Sequence, residues 1–523
     1  MPEQAKPQSV ARGGMIASAA VMVSRVFGLI RETMLAAVFG ASREYDAFLM
    51  AFRIPNLLRD LFAEGALSQA FVKVFKQTSM TEGDDAAWRV ANKVLTLLTL
   101  FLGVLCALGM MFSDVLVDII APGFRAIPGK SELTAELTRV MFPFIVLVAG
   151  AAVFMGMLNS KGMFGLPQSA STFFNIGSIL SGFGAGYFLA PEYVLGGLKL
   201  MVGQGTRAYD ADSAARAMVG MAAGVMFGGV CQLLVQLPAL WKMGYRPAPS
   251  LHPADPKVRE VLRLLGPSVI GAAAVQINVV FVNSNFASYL GDKPISWLNY
   301  AFRFMQFPIG VFGVALASAA APAFVEACTR NDLPALRKTI RSSMALTLML
   351  CVPSAVGLAV LGEALIGLIY EHGRFTAEDT HATAMGLMAY ALGLSGYAGI
   401  KILQPAFVAL NDAWTPALVS LASIFVNLVA NYLMVKELGY GHVGLALSTS
   451  TVALMNCVLL AMLLRRKAGG MEGVALLSSL VRTLIAAALM GAAVWTVSGL
   501  CQELVPGGGV GPRGFQLAVG MTT

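Results

Sequence analysis

Seven basic residues stand where an apolar chain can least accommodate them. Arg25 and Arg31 lie in the apolar run 14–40, Arg53 and Arg59 in 45–75, Arg303 in 300–326, Lys401 in 383–410 and Arg482 in 474–500. A charge at the centre of a membrane-spanning helix costs about 2.5–3.5 kcal/mol. The five arginines of the first, second and eighth runs would therefore cost roughly 12–18 kcal/mol if each faced lipid. That exceeds the whole folding stability of many domains. Such groups face water, a partner charge or the headgroups. The chemistry they offer is anion binding. Arginine suits phosphate in particular, because its planar fork donates two hydrogen bonds at once.

Helical geometry, at about 100° per residue, sorts these charges onto faces. In 45–75, Asp46, Arg53, Asn56, Asp60 and Glu64 fall on one narrow stripe, with Arg59 away from it. In 14–40, Ser18, Arg25 and Glu32 share a face, with Gly28 beside it. In 300–326, Asn299, Arg303, Gln306 and Gly310 share a face. Polar stripes on apolar helices line a water-filled chamber in a helix bundle. The alternative reading pairs Arg25 with Glu32 and Arg53 with Asp60 and lets arginines near helix ends snorkel. Pro55 and Pro308 introduce kinks that serve either a gate or the shape of the bundle.

Other chemistries find no residues. The six cysteines are scattered, mostly in apolar runs, with no C-x-x-C pair, and read as buried thiols. The four histidines form no ligand spacing, so no metal site is expected. No phosphate-binding loop of the G-x-x-x-x-G-K-[ST] kind occurs, so no ATPase and no cofactor is expected. The pattern is that of a non-enzyme.

The elements that carry these residues follow from composition. Of 523 residues, 57% are hydrophobic and 13% charged, and mean hydropathy is +0.71. Soluble domains carry about 25% charged residues, so the bilayer is the solvent for most of this chain. Thirteen apolar runs approach or exceed the roughly 20 residues that a spanning helix needs: 14–40, 45–75, 88–113, 138–160, 168–190, 217–241, 264–290, 300–326, 342–369, 383–410, 414–435, 442–465 and 474–500. They are too long and too continuous for barrel strands. Lysine and arginine concentrate in the loops that share a side with the amino terminus, which puts that terminus in the cytoplasm. The net charge of +8 reflects such loops and not nucleic-acid binding. The tail after Pro506 is too short to cross, so a fourteenth span is either absent or truncated.

The chain also repeats itself weakly. Ala51-Phe52-Arg53 recurs as Ala301-Phe302-Arg303 at an offset of 250, and Ser68 matches Ser318 at the same offset. Leu158-Asn159 recurs as Leu410-Asn411. Six helices separate the copies, so both halves share one orientation in the membrane, as in transporter folds whose substrate sits between the halves near the midplane. The expected fold is an all-α polytopic membrane protein. It comprises two six-helix lobes, 1–245 and 246–467, in parallel pseudo-repeat, followed by a carboxy-terminal unit, 468–523.

Specific runs then point to a family. Ser24-Arg25-Val26-Phe27-Gly28 with Arg31-Glu32, Phe52-Arg53-Ile54-Pro55-Asn56-Leu57-Leu58-Arg59, and Phe62-Ala63-Glu64-Gly65-Ala66-Leu67-Ser68-Gln69-Ala70-Phe71 resemble the MurJ (MviN) family. Phe307-Pro308 followed by Gly310-Val311-Phe312-Gly313 resembles its eighth span. The resemblance covers nearly the whole chain. It implies a lipid II flippase of the multidrug/oligosaccharidyl-lipid/polysaccharide exporter superfamily in the bacterial inner membrane. Such a protein carries an undecaprenyl-pyrophosphate-linked disaccharide-pentapeptide to the outer leaflet for peptidoglycan synthesis, by alternating access. Carried over residue by residue, Arg25, Arg31, Arg59 and Arg303 match cavity arginines. Asp46, Arg53 and Asn56 match polar positions of the second span, and Lys401 matches a basic residue of the tenth. Glu32, Asp60, Glu64 and Gln306 join Asp46 and Lys401 as supporting or gating residues. Two features depart from the family: Phe302 and Gln306 stand where many members carry acidic residues, and the last span, part of the family's groove for the lipid tail, is incomplete.

Membrane lipids and cell-wall synthases are the further partners implied, and no nucleic acid. Three rivals remain. An exporter of another undecaprenyl-linked polysaccharide shares the charge pattern. A cation-coupled multidrug exporter calls for an acidic chamber, against which the arginine excess argues. A scaffold for cell-wall enzymes would tolerate neutral residues at Arg25, Arg31, Arg59 and Arg303.

Overall fold

The structure is a computed structural model that describes residues 7–59, 66–204, 209–264, 281–470, 472–504 and 510–522. Helices account for all of its regular structure among the described residues. In hydrocarbon every backbone N–H and C=O must be paired internally, and long apolar runs without an edge-closing partner satisfy that only as helices. Nine helices among the described residues are long and apolar enough to cross a bilayer. The chain is a polytopic all-α membrane protein.

The expected runs are helical wherever they are described. The seventh, 264–290, lies largely outside the described residues. The second run holds two described helices, Arg43–Arg59 and Ala66–Glu82, with 60–65 between them outside the description. Two short helices that the apolar pattern did not announce, Ser113–Ile120 and Pro191–Met201, occupy connecting segments. The tail forms a helix, Val510–Thr522, of 13 residues. At 1.5 Å per residue it is about 20 Å long, short of the roughly 30 Å hydrocarbon core.

The chain divides into two units, Met1–Gln276 and Ile277–Thr523. In the first, α1 (Pro7–Phe39) and α2 (Arg43–Arg59) meet at a tight turn in which Gly40 takes φ +67°, a left-handed conformation that glycine adopts without a steric penalty. Ser42 opens α2, its Oγ accepting from the Tyr45 N–H at 3.2 Å. The next helices are α3 (Ala66–Glu82), α4 (Asp84–Met111), α5 (Ser113–Ile120), α6 (Lys130–Met141), α7 (Phe144–Ser160), α8 (Gly165–Leu189), α9 (Pro191–Met201), α10 (Ala211–Leu234) and α11 (Leu237–Lys242). From the shared turn α1 runs along α8 and α9, whereas α2 runs along α6 and α7.

Side-chain bonds show which loops share an end. At one end, Lys93 pairs with Asp255 at 2.6 Å, Lys257 with Glu82 and Lys161 with Asp84. At the other, Arg43 donates to the Pro128 carbonyl at 2.9 Å and the Tyr209 hydroxyl donates to Glu44 at 2.7 Å. Alternating spans require this grouping of loops. The linker that follows α11 is tied to the first unit by Lys93 and Glu82.

The tightest pairing is α8 against α10. Ser178, Gly182 and Gly186 face Gly220, Gly224 and Gly228, each set spaced by four, so the two backbones touch. A methyl group at Gly220 would fall on the backbone of Gly186, and one at Gly224 on that of Gly182.

The second unit contains α12 (Asn283–Ser288), α13 (Pro294–Pro308), α14 (Ala315–Thr329), α15 (Leu333–Tyr370), α16 (Ala377–Ala409), α17 (Trp414–Asn431), α18 (Gly441–Lys467), α19 (Gly473–Leu504) and α20 (Val510–Thr522). Its π-helical segments include Ile309–Val314 between α13 and α14 and Tyr432–Glu437 after α17. Asp332 caps α15, and a Thr376–Asp379 capping box opens α16. Its core includes Phe324, Ile340, Leu403, Phe407 and Leu464. The carboxy-terminal helices α19 and α20 pack on α15, where Arg513 pairs with Glu371 at 2.7 Å. Amides fasten α17 to α12 and to α18. Asn427 and Asn431 both donate to Asn283 Oδ1, at 2.8 and 3.0 Å, and Ser448 donates to Asn431.

The glycine seam yields a test. Gly224→Leu forces two backbones apart and is expected to cost about 1–3 kcal/mol or more, read as a lower melting temperature and membrane level. Gly184→Leu, on the open face of α8 where an added Cβ meets nothing within 4 Å, is expected to stay within about 0.5 kcal/mol of the unsubstituted protein.

Candidate functional site

The basic residues of α1 and α2 are arranged by depth below the Gly40 turn. Along α1, Arg31 lies about 12 Å from Phe39 and Arg25 about 21 Å. Along α2, Arg53 lies about 15 Å from Arg43 and Arg59 about 24 Å. Arg31 is half-buried. Its guanidinium stands 5.4 Å over the Phe174 ring and 4.0 Å from the buried carboxylate of Glu32. Arg25 is exposed. Between the two, the Asn175 side chain of α8 donates to the Ser24 carbonyl at 3.1 Å and lies against Gly28.

An aromatic wall leads from Arg31 to α2. Phe174 packs on Phe144 at 5.5 Å, Phe144 on Phe52 at 5.8 Å, and Phe52 stacks on Phe48 at 6.4 Å. Arg53 and Asn56, both half-buried, follow directly on Phe52. Arg59 closes α2; its side chain, Asp60 and Glu64 lie outside the described residues.

In the second unit Arg303 is exposed about 14 Å from the head of α13, and Gln306 is exposed one turn further on. Phe302 turns instead to Tyr390 of α16, ring to ring at 5.4 Å. Lys401 and Arg482 are exposed on α16 and α19. An exposed guanidinium midway along an apolar helix is tolerable where water reaches it.

Two expectations change. Asp46 does not share a wet stripe with Arg53. It is completely buried, 3.2 Å from Lys130 Nζ, which is completely buried too. The first turn of α2 packs against α6, and a counter-charge from α6 allows the carboxylate inside. Glu32 does not share an environment with Arg25 either. It is buried beside Arg31, and Arg25 is exposed. Glu44, also buried, accepts from Tyr209, whose phenol is held above its ordinary range by burial and by that carboxylate. Sequence reasoning missed Lys130 because it precedes the apolar run 138–160. It missed Phe174 and Asn175 because an aromatic ring or a lone amide within an apolar run does not announce its partner on another helix. At the linker end, hydrogen bonds from Lys161 and Lys93 hold Asp84 and Asp255 below the usual carboxylate range.

Labelling tests the exposure. In membranes, cysteines replacing Arg25, Arg303 or Lys401 are expected to react readily with a water-soluble maleimide, and cysteines replacing Glu32 or Asp46 slowly. Equally slow reaction at all five positions would mean that lipid, not water, meets the cations.

The comparisons with known proteins follow this geometry. A family model described as lipid II flippase MurJ matches residues 35–509. A Burkholderia cenocepacia protein named lipid II flippase MurJ is 35% identical over 460 residues, covering 87% of this chain and 84% of that one. A Vibrio cholerae protein named probable lipid II flippase MurJ is 30% identical over 456 residues, covering 86% and 82%. Among solved structures, one titled lipid II flippase MurJ, inward closed conformation, has a TM-score of 0.75 at 22% identity and covers 97% of this chain and 96% of that one. A multidrug resistance MATE family transporter in an inward-facing conformation has a TM-score of 0.68 at 14% identity and covers 88% and 99%. Both structures share the fold.

Proposed function

Because the chain belongs to the lipid II flippase MurJ family, we propose that it moves lipid II from the cytoplasmic to the outer leaflet of a bacterial inner membrane. The observation that carries this reading is the family match over residues 35–509, together with 35% identity to a named flippase. The arginines supply the physical rationale. A pyrophosphate cannot cross hydrocarbon unaccompanied, and charge-assisted forks at Arg25, Arg31, Arg53, Arg59 and Arg303 suit it, with Asn56 donating beside them. Arg31 is held for that task by the Phe174 ring and by Glu32. Lys401 and Gln306 offer further polar contact to the sugar and peptide, and the polyprenyl tail stays in lipid.

The headgroup site is exposed to the two sides in alternation, and no step makes or breaks a covalent bond. The amino terminus is cytoplasmic. Basic residues at the linker end of the first unit, Lys93, Lys161 and Lys257, support that orientation. Each charge carried across the field is worth about 2.3 kcal/mol per 100 mV, so the membrane potential is one available drive. A synthase that consumes lipid II at the outer face is the partner such a carrier feeds. The MATE likeness extends to fold at 14% identity, and the basic residues on α1, α2 and α13 are the wrong sign for cationic drugs.

Depletion of the resident flippase followed by rescue, with lipid II detected leaflet by leaflet, tests the proposal. This chain is expected to restore outer-leaflet lipid II. Arg25→Ala, Arg31→Ala and Arg303→Ala are each expected to reduce rescue by about tenfold or more, the worth of a charge-assisted hydrogen bond. Arg482→Ala is expected to behave as the unsubstituted chain. Lipid II that stays cytoplasmic under a folded, unsubstituted chain overturns the proposal.

A further inference from the structure

We infer that Lys130 is a positioning residue for transport: by supplying the counter-charge that lets Asp46 be fully buried, it fixes the helix that carries Arg53, Asn56 and Arg59. The inference rests on the proposed lipid II reading for the word transport, and on geometry for the rest. Lys130 and Asp46 have no exposed side-chain surface, and their charged atoms are 3.2 Å apart. The Lys130 ammonium also sits 4.3 Å over the Phe124 ring, which comes from the turn Pro122–Ala126. Gly129, at φ +76°, brings the chain round so that Lys130 is the first residue of α6. A cation there opposes the positive end of the helix dipole. It therefore needs a reason of its own, and the buried carboxylate of Asp46 is one. Beside the pair, Arg43 ties the head of α2 to the Pro128 carbonyl at 2.9 Å. Removing either member of a buried ion pair strands the other charge, which is why such pairs fix geometry strongly.

The second unit holds a related tie with the signs exchanged, part-exposed and shared with Glu378. Just before α13, the helix matching α2, Lys293 lies 3.3 Å from Asp379 in the first turn of α16. Trp297 Nε1 donates to the same carboxylate at 3.0 Å. The base now stands on the helix that carries the arginine, and the acid on its neighbour. A tie that survives exchange of its charges acts through being paired. The Asp46 charge is accordingly not used to carry a proton or to grip the headgroup, and its removal is harmful because the buried Lys130 ammonium loses that carboxylate.

A double-mutant cycle in the full chain tests this. Asp46→Asn and Lys130→Gln are made singly and together, and leaflet-resolved lipid II rescue and the melting temperature of the purified protein are read for each. Each single substitution is expected to lower rescue by about tenfold or more and to lower the melting temperature. The neutral pair is expected to recover most of both. Lys130→Gln is not expected to restore Arg53→Ala. A neutral pair that melts like the unsubstituted protein yet rescues no better than Asp46→Asn overturns the inference, since the charge itself would then be required. Single substitutions that leave both readouts unchanged overturn it too. If the unsubstituted chain does not move lipid II, the proposed function fails, and the melting temperatures decide the inference: non-additive loss supports the tie and additive loss overturns it.

Discussion

The cost of placing a guanidinium in hydrocarbon governs this molecule. A predominantly apolar helix can do little by itself to solvate Arg31 or Arg303. The surroundings must do so, and each arginine is answered in its own way. Arg31 has an aromatic face and a buried carboxylate. Arg303 is exposed, with Gln306 one turn away. Asp46, the acidic counterpart of the problem, has Lys130. The last of these arrangements is completely buried, whereas Arg31 is half-buried and Arg303 exposed.

Packing supplies the stiffness that this requires. The contact of α8 with α10 is made largely by glycine against glycine, so van der Waals attraction acts directly between the two backbones along the seam. The helix α8 is also the one that offers Phe174 and Asn175 to α1. A cation-bearing helix is therefore seated on the most closely packed pair of the first unit. In the second unit, α17 and α18 are joined by the Ser448–Asn431 hydrogen bond next to a π-helical segment.

Much of this was legible in the sequence, for a physical reason. Apolar runs of about 20 residues have one viable conformation in a bilayer, so helix positions and the ordering of loops could be read directly. The cost of charge likewise marked Arg25, Arg31, Arg53 and Arg303 without reference to structure. What sequence could not give was pairing between helices. Asp46 and Arg53 share a helical face, yet the neighbour of that face changes along the helix, from α6 at its head to the aromatic wall further down. Lys130 sits 84 residues from its partner and outside any apolar run. The short helices Ser113–Ile120 and Pro191–Met201 were missed because segments of 8 and 11 residues fall below the length at which the membrane dictates conformation.

The π-helical stretch Ile309–Val314 has a consequence for how the eighth span can evolve. A segment with i→i+5 bonding holds one more residue in its turn than an α-helix does, so the angular bookkeeping of side chains restarts across it. Substitutions that shift the apolar stripe of Ala315–Thr329 leave the azimuth of Arg303 untouched, and the reverse also holds. The cation-bearing half and the alanine-rich half of one span can therefore drift independently.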